Sequence, residues 1–252
     1  MYQTLKRFLP PTLRRRYAPA LRALAALPYR GGTYQCNLCG TGLRTFIELP
    51  TGDLLCPRCG SLPRTRRLGQ LLTEQLDIND LRLLHLSPSQ SLASFLHPPH
   101  PRPRPNGGTD RLKTYVTSDY AGEFAADERY DLTAVDAPDA SFDIVLCYHV
   151  LEHISDDGKA MRELHRILAP GGLALVQTPF SADERTHEDP KLTTPEQRLA
   201  AYGQADHVRL YGAPDLAQRL RNAGFRVLSM TYPVNHRLGL RGGETVLFAE
   251  RK

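Results

Sequence analysis

The sequence predicts an α/β protein, a mostly parallel sheet covered by helices on both faces, preceded by a small cysteine-built module. Two observations predict this. From residue 81 onward, short apolar runs alternate with segments of helical periodicity, the pattern of strands joined by crossover helices. Ahead of them, four of the five cysteines fall into two tight pairs, in a stretch too short to build a core of its own.

The bulk numbers set the frame. The chain has 252 residues, 41% hydrophobic and 23% charged, ordinary values for a globular protein. No run approaches the roughly 20 apolar residues of a membrane helix. Arg22 and several prolines break the N-terminal apolar runs, so no signal peptide is expected. Residues 1–72 hold twelve Lys/Arg and two Asp/Glu, a balance of +10. With a total of +5, residues 73–252 carry −5. A basic first third suits an anionic partner such as nucleic acid or an acidic membrane surface. A solvated basic face accounts for it equally well.

Residues 1–30 read as a basic leader cut by Pro10, Pro11, Pro19 and Pro28. Residues 31–65 hold Cys36-x-x-Cys39 and Cys56-x-x-Cys59, sixteen residues apart. Four thiolates on two turns make a closed tetrahedral set, the donor set of structural zinc in a zinc ribbon. Gly40 and Gly60 each follow the second cysteine of a pair, where the chain has to turn. Cysteines so arranged point to a metal in a reducing compartment, not to disulfides, so a cytoplasmic location is expected.

Residues 66–252 form the main domain. A helix is expected over Leu68–Leu76. Leu81–Leu86 reads as a strand, Ser91–Leu96 as a helix and Thr114–Thr117 as a second strand, with a short third strand near Asp131. Ile144–Cys147 is a buried strand. Asp156–Leu168 is a helix with Ala160, Met161, Leu164, Ile167 and Leu168 on one face, stopped by Pro170-Gly171-Gly172. Leu173–Gln177 is a strand, Pro214–Ala223 a helix, and Phe225–Met230 and Thr245–Glu250 are the last strands. The proline-rich stretch His97–Gly108 reads as an extended surface loop.

Sheets of this kind bind ligands at the carboxyl ends of their strands. Four positions there fit a nucleoside cofactor. In the turn after the first strand, Ser87, Ser89 and Ser91 stand where a glycine-rich loop would put its glycines. A plain strand-to-helix turn fits the same residues. Asp119, past the second strand, suits ribose hydroxyls, and Asp131 suits an adenine amino group with the Leu132 amide beside it; both also read as ordinary turn aspartates. Tyr148-His149-Val150-Leu151-Glu152-His153 packs two histidines and a glutamate at the end of a buried strand.

Ser141–His153 together with Met161–Gly172, read as SFD…HVLEH…REL.R.L.PGG, resembles the signature of class I S-adenosylmethionine-dependent methyltransferases, the methyltransferase type 11 group. The resemblance covers about residues 80–250. It implies a Rossmann-like sheet of seven strands, the last antiparallel. It implies S-adenosylmethionine as cofactor, held by Ser87, Pro88, Ser89, Ser91, Asp119, Tyr120, Asp131, Leu132, Tyr148 and His149. Ser87, Ser89, Ser91 and His85 stand where most relatives carry glycines and an acid. Thr186–Gly212 resembles a bacterial subgroup that also carries the cysteine pairs. Methyl transfer needs a base only where the acceptor must lose a proton. His153 and His207 are the candidate bases, with Asp206 placed to orient His207. A small-molecule or glycan acceptor is the first reading. RNA held by Arg58, Arg64, Arg66 and Arg67 is the second, and a non-catalytic cofactor-binding or scaffold protein is the third.

Overall fold

The structure, a computed structural model, describes residues 20–97 and 112–252. Most of the basic leader and of the proline-rich loop lies outside the described residues. The chain divides into two compact units. Among the described residues the first holds 20–77, 89–97 and 233–244, and the second holds 78–88, 112–232 and 245–252.

In the first unit, β1 (Arg30–Gln35) pairs antiparallel with β2 (Gly42–Leu43), and β3 (Ile47–Glu48) with β4 (Leu54–Leu55). Strands this short cannot stand alone. They are fixed by helix α1 (Pro63–Glu74), which starts on a proline and buries Leu68, Leu71 and Leu72, as its sequence periodicity requires. Helix α2 (Gln90–Leu96) packs against α1. The fully buried Arg66 ties the unit together. Its Nε donates to the Leu238 carbonyl at 2.8 Å, and its terminal nitrogens donate to Ser61 O at 2.7 Å, Leu54 O at 2.9 Å and Gly239 O at 2.9 Å. The guanidinium also lies 4.1 Å over the Phe46 ring. Arg67, buried as well, donates to the Pro233 carbonyl at 2.7 Å and meets Glu244 at 3.4 Å. Both arginines are therefore structural. The sequence-based picture of them as phosphate-holding groups is corrected.

The second unit is built on a six-stranded sheet. β5 (Arg82–Leu86), β6 (Thr114–Ser118), β7 (Phe142–Tyr148), β8 (Leu168–Gln177), β9 (Phe225–Tyr232) and β10 (Glu244–Arg251) are ordered β6-β5-β7-β8-β10-β9. β6, β5, β7 and β8 are parallel, and β10 runs antiparallel to β8. Helices α3 (Asp157–Ile167), α4 (Pro195–Tyr202) and α5 (Ala213–Asn222) accompany it. The Asp156 side chain caps α3 by accepting the Lys159 N–H at 2.8 Å. Ala160, Met161, Leu164 and Ile167 face the core as expected, and each larger one contributes about 1.5–3 kcal/mol by burial.

Two elements differ from expectation. The seventh strand, expected near Asp131, is reduced to a single parallel bridge between Ser118 and Glu128. Residues 119–131 are mostly polar, and after the bridge the Tyr130 N–H turns to the Ser118 hydroxyl at 2.9 Å instead of extending a ladder. The strand expected from Leu173 begins at Leu168 and runs through Pro170-Gly171-Gly172. A register shift between Phe142 and Ile144 of β7 absorbs the proline, as a bulge does.

Candidate functional site

Two clusters of chemically capable side chains stand out among the described residues. The first is sulfur. Cys36, Cys39, Cys56 and Cys59 bring their Sγ atoms within 4.8 Å of one another. The two pairs are built alike. Cys36 N–H donates to Thr41 O and Gly40 N–H to Cys36 O, while Cys56 N–H donates to Ser61 O and Gly60 N–H to Cys56 O, all at 2.8–3.0 Å. Both turns close on a left-handed glycine, Gly40 at φ +70° and Gly60 at φ +76°. Sγ separations are 3.6 Å between Cys36 and Cys59 and 3.8 Å between Cys39 and Cys56. A tetrahedral zinc with Zn–S of about 2.3 Å has S···S edges of about 3.8 Å, so the donor set fits that ion. Hydrogen bonds from its three neighbours push the Cys36 thiol down, and contacts with Cys36 and Cys39 push Cys56 and Cys59 up.

The second cluster lies at the carboxyl ends of β5, β6 and β7. The strands are in register, Leu86 opposite Ser118 and His85 opposite Leu146. The residues that follow them therefore emerge side by side. Ser87 donates its N–H to Ser118 O at 2.8 Å and holds φ +45°, a conformation that favours glycine. Pro88 is buried behind it. The chain then passes to the first unit, where Ser89 precedes α2 without a side-chain cap bond and Ser91 lies in its first turn. Asp119 is 3% exposed, and its Oδ2 accepts the Phe124 N–H at 2.9 Å. Tyr120 is exposed, and its carbonyl accepts from Arg129 at 3.0 Å. Asp131 follows the Tyr130–Ser118 contact, so it belongs to the same edge. It is exposed, and its Oδ1 accepts both the N–H and the hydroxyl of Thr133 at 2.8 Å. Those bonds hold its carboxyl below the usual range. The Leu132 side chain is core. One strand back, burial pushes His85 down to about 3, so the imidazole is neutral; its Nδ1 lies 2.8 Å from the Tyr115 hydroxyl.

Past β7 the chain turns sharply at His149, φ +55°, whose N–H donates to Gln177 O at 2.8 Å. Glu152 is 1% exposed, and neither carboxylate oxygen has a hydrogen-bond partner; His149 Nδ1 stands 3.3 Å away. Burial alone would raise its carboxyl. The imidazole of His149 close by, with that of His153, outweighs burial and holds it below the ordinary value. His207 is 2% exposed, its ring 4.8 Å from that of His153, and Glu152, His153 and His207 present ligand atoms within 4.8 Å of one another. Burial pushes His207 down. Asp206 reaches His153 Nδ1 at 3.1 Å, so the ring it orients is His153, not His207 as the sequence suggested.

The segment carrying His207 is pinned from below. Val208 N–H donates to Glu152 O at 2.9 Å. The buried Arg209 donates to Ser155 O at 2.9 Å and to Ile154 O, and meets Glu188 at 2.8 Å. The Tyr211 hydroxyl donates to Asp157 at 2.7 Å, and Arg219 bridges Asp157 at 3.0 Å and Glu188 at 2.7 Å. Sequence reasoning passed over this network, and it placed Glu152 in the cluster after β7 without giving it a role. The signal was an acid buried between two histidines in HVLEH, and a buried Arg and Tyr bracketing Leu210.

Comparison with known proteins places the chain. Residues 90–230 match the family described as "Methyltransferase domain". A Mycolicibacterium smegmatis protein named "Probable S-adenosylmethionine-dependent methyltransferase" is 36% identical over 110 residues, 44% of this chain and 38% of that one. A Mycobacterium tuberculosis protein of the same description is 33% identical over 100 residues, 40% of this chain and 32% of that one. The chain thus spans well under half the length of these curated relatives. The crystal structure of the cyclase SpnF aligns with a TM-score of 0.53 and 14% identity, over 95% of this chain and 94% of that one, a likeness of fold alone. The family match extends over more than half of the 252 residues, and the chain belongs to the methyltransferase domain family.

Proposed function

We propose that this protein is an S-adenosylmethionine-dependent methyltransferase whose cofactor rests at the carboxyl edge of β5, β6 and β7, with a small molecule or glycan as acceptor. One observation carries the reading. In a chain of this family, the strained Ser87, the buried Asp119 and the turn at Tyr148-His149 emerge from adjacent in-register parallel strands. Ser87 keeps the backbone shape a glycine would give, which supports a working cofactor turn over a decayed one.

The bound cofactor supplies a methyl group already activated on a sulfonium centre. The chain's own work is positioning. Asp119 accepts hydrogen bonds from ribose hydroxyls, and Asp131 with the Leu132 amide faces the base. Ser87, Pro88 and Tyr120 line the turn and ribose side, and Tyr148 and His149 the methyl side. His153, His207 and Asp206 deal with the acceptor's proton. Zinc held by Cys36, Cys39, Cys56 and Cys59 supports the first unit, as the sulfur spacing favours. The RNA reading has lost Arg66 and Arg67 as free cations.

Calorimetric titration of the whole protein with S-adenosylmethionine tests this. Binding is expected, and Asp119→Asn should weaken it at least tenfold, since a charge-assisted hydrogen bond is worth about 1.5–3 kcal/mol. A folded protein that takes up no cofactor, or an Asp119→Asn variant that binds unchanged, would sink the assignment.

A further inference from the structure

The buried cluster past β7 holds more hydrogen-bonding capacity than the protein satisfies. Glu152 has two unpartnered oxygens, His149 an unpartnered Nε2 and His207 an unpartnered Nδ1, all inaccessible to solvent. At the end of β8, Gln177 Oε1 and Thr178 Oγ1 are in the same condition. A buried carboxylate without a hydrogen bond is costly, and folded chains rarely keep one without a ligand. Burying it between imidazoles is the arrangement that a cation explains.

We infer that Glu152, His153 and His207 form a site for a divalent first-row transition-metal ion. Their ligand atoms converge within 4.8 Å, and two nitrogens with one carboxylate are the borderline donor set of Mn²⁺, Fe²⁺, Co²⁺ and Zn²⁺. The supporting contacts are those of a metal centre. Asp206 at 3.1 Å from His153 Nδ1 favours the tautomer whose Nε2 keeps its lone pair, and His149 at 3.3 Å steadies Glu152. The site is separate from the sulfur cluster in donor chemistry, since the harder ions prefer N and O to thiolate. Val208 N–H on Glu152 O and Arg209 on the Ile154 and Ser155 carbonyls fix the two contributing segments to each other.

Taken with the proposed methyl transfer, on which this part rests, the ion would hold an acceptor oxygen. An alcohol or phenol bound to such an ion gives up its proton to water more readily, and its oxygen then takes the methyl from the sulfonium, which leaves as the neutral thioether. His153 and His207 would then act through the ion and not as free bases, and the acceptor class would be a hydroxyl compound.

Titration of the whole protein with Mn²⁺, followed by the six-line electron paramagnetic resonance signal of the free ion, separates the two parts. One equivalent should bind. Glu152→Gln and His153→Ala should each weaken it at least tenfold, the latter at an exposed side chain whose loss leaves the fold intact. His187→Ala, at an exposed Asp183 pair, should leave it unchanged. No Mn²⁺ or Co²⁺ uptake beyond that of the His153→Ala variant would overturn the site. Cofactor binding by calorimetry is read separately, so its failure would remove the methyl-transfer reading while leaving the metal site standing.

Discussion

The two units handle their most deeply buried charge in opposite ways. In the first, that charge is fully spoken for. Arg66 spends its guanidinium on four carbonyls, and the backbone amides around each cysteine pair close on their own turns. In the second, an extensive apolar core of Leu84, Val145, Met161, Leu164, Leu216 and Leu247 supports an edge where Glu152, His149 and His207 carry unmade hydrogen bonds. Saturated polar groups hold a fold together. Unsatisfied ones, kept in place by a rigid core, are held ready for something that is not part of the chain.

The comparison breaks first if the small unit does not depend on its sulfurs. Its strands are two to six residues long, too short to hold the cysteine turns by themselves. A structural zinc set is worth on the order of 10 kcal/mol or more to such a module. Strong chelation, or Cys56→Ser, should therefore abolish protection of backbone amides over residues 30–67 in hydrogen exchange, while α3 and β7 stay protected. Protection unchanged in chelator would place the unit's stability in its hydrogen bonds instead.

A smaller effect tests the saturation itself. Arg66→Met keeps most of the volume but removes the guanidinium from Leu54 O, Leu238 O and Gly239 O, while Ser61 O keeps the Cys56 N–H. At roughly 1 kcal/mol or more for each carbonyl, the loss should be about 3–5 kcal/mol in denaturant unfolding of the first unit. A cost near zero would mean that Arg66 is only a surface cation that happens to be covered.

The same contrast explains what the sequence disclosed. Periodicity marked α3, whose buried face is Ala160, Met161, Leu164 and Ile167, and short apolar runs marked β5 and β7, because burial on a rigid core imposes a pattern. Cys-x-x-Cys spacing marked the sulfur set because ligand geometry imposes a spacing. Helix α4 escaped notice: only Tyr202 of its eight residues is buried, so its signal is the Thr194–Gln197 capping box and Gly203 at its end, not a stripe. Glu152 was legible as a member of the cluster after β7, but its burial was not, because a lone acid beside histidines carries no period and its cover comes from the fold. The Asp206 pairing with His153 depended on a fold between residues 153 and 206 that no local pattern reports.

The smallest effect concerns Ser87, where strain and readiness meet. An L-residue at φ +45° costs on the order of 1 kcal/mol relative to glycine. Ser87→Gly relieves that strain but adds freedom to the unfolded chain worth about 0.4–1 kcal/mol, so its net change should be close to zero. Ser87→Ala keeps both the strain and the unfolded-state restriction, so it should match wild type unless the hydroxyl itself is used. Comparing the two separates the roles. Equal stability for all three, with cofactor affinity lowered in both variants, would assign Ser87 to cofactor contact through its hydroxyl. Affinity kept by glycine and alanine alike would assign it to backbone shape, the part of the turn that the serine preserves.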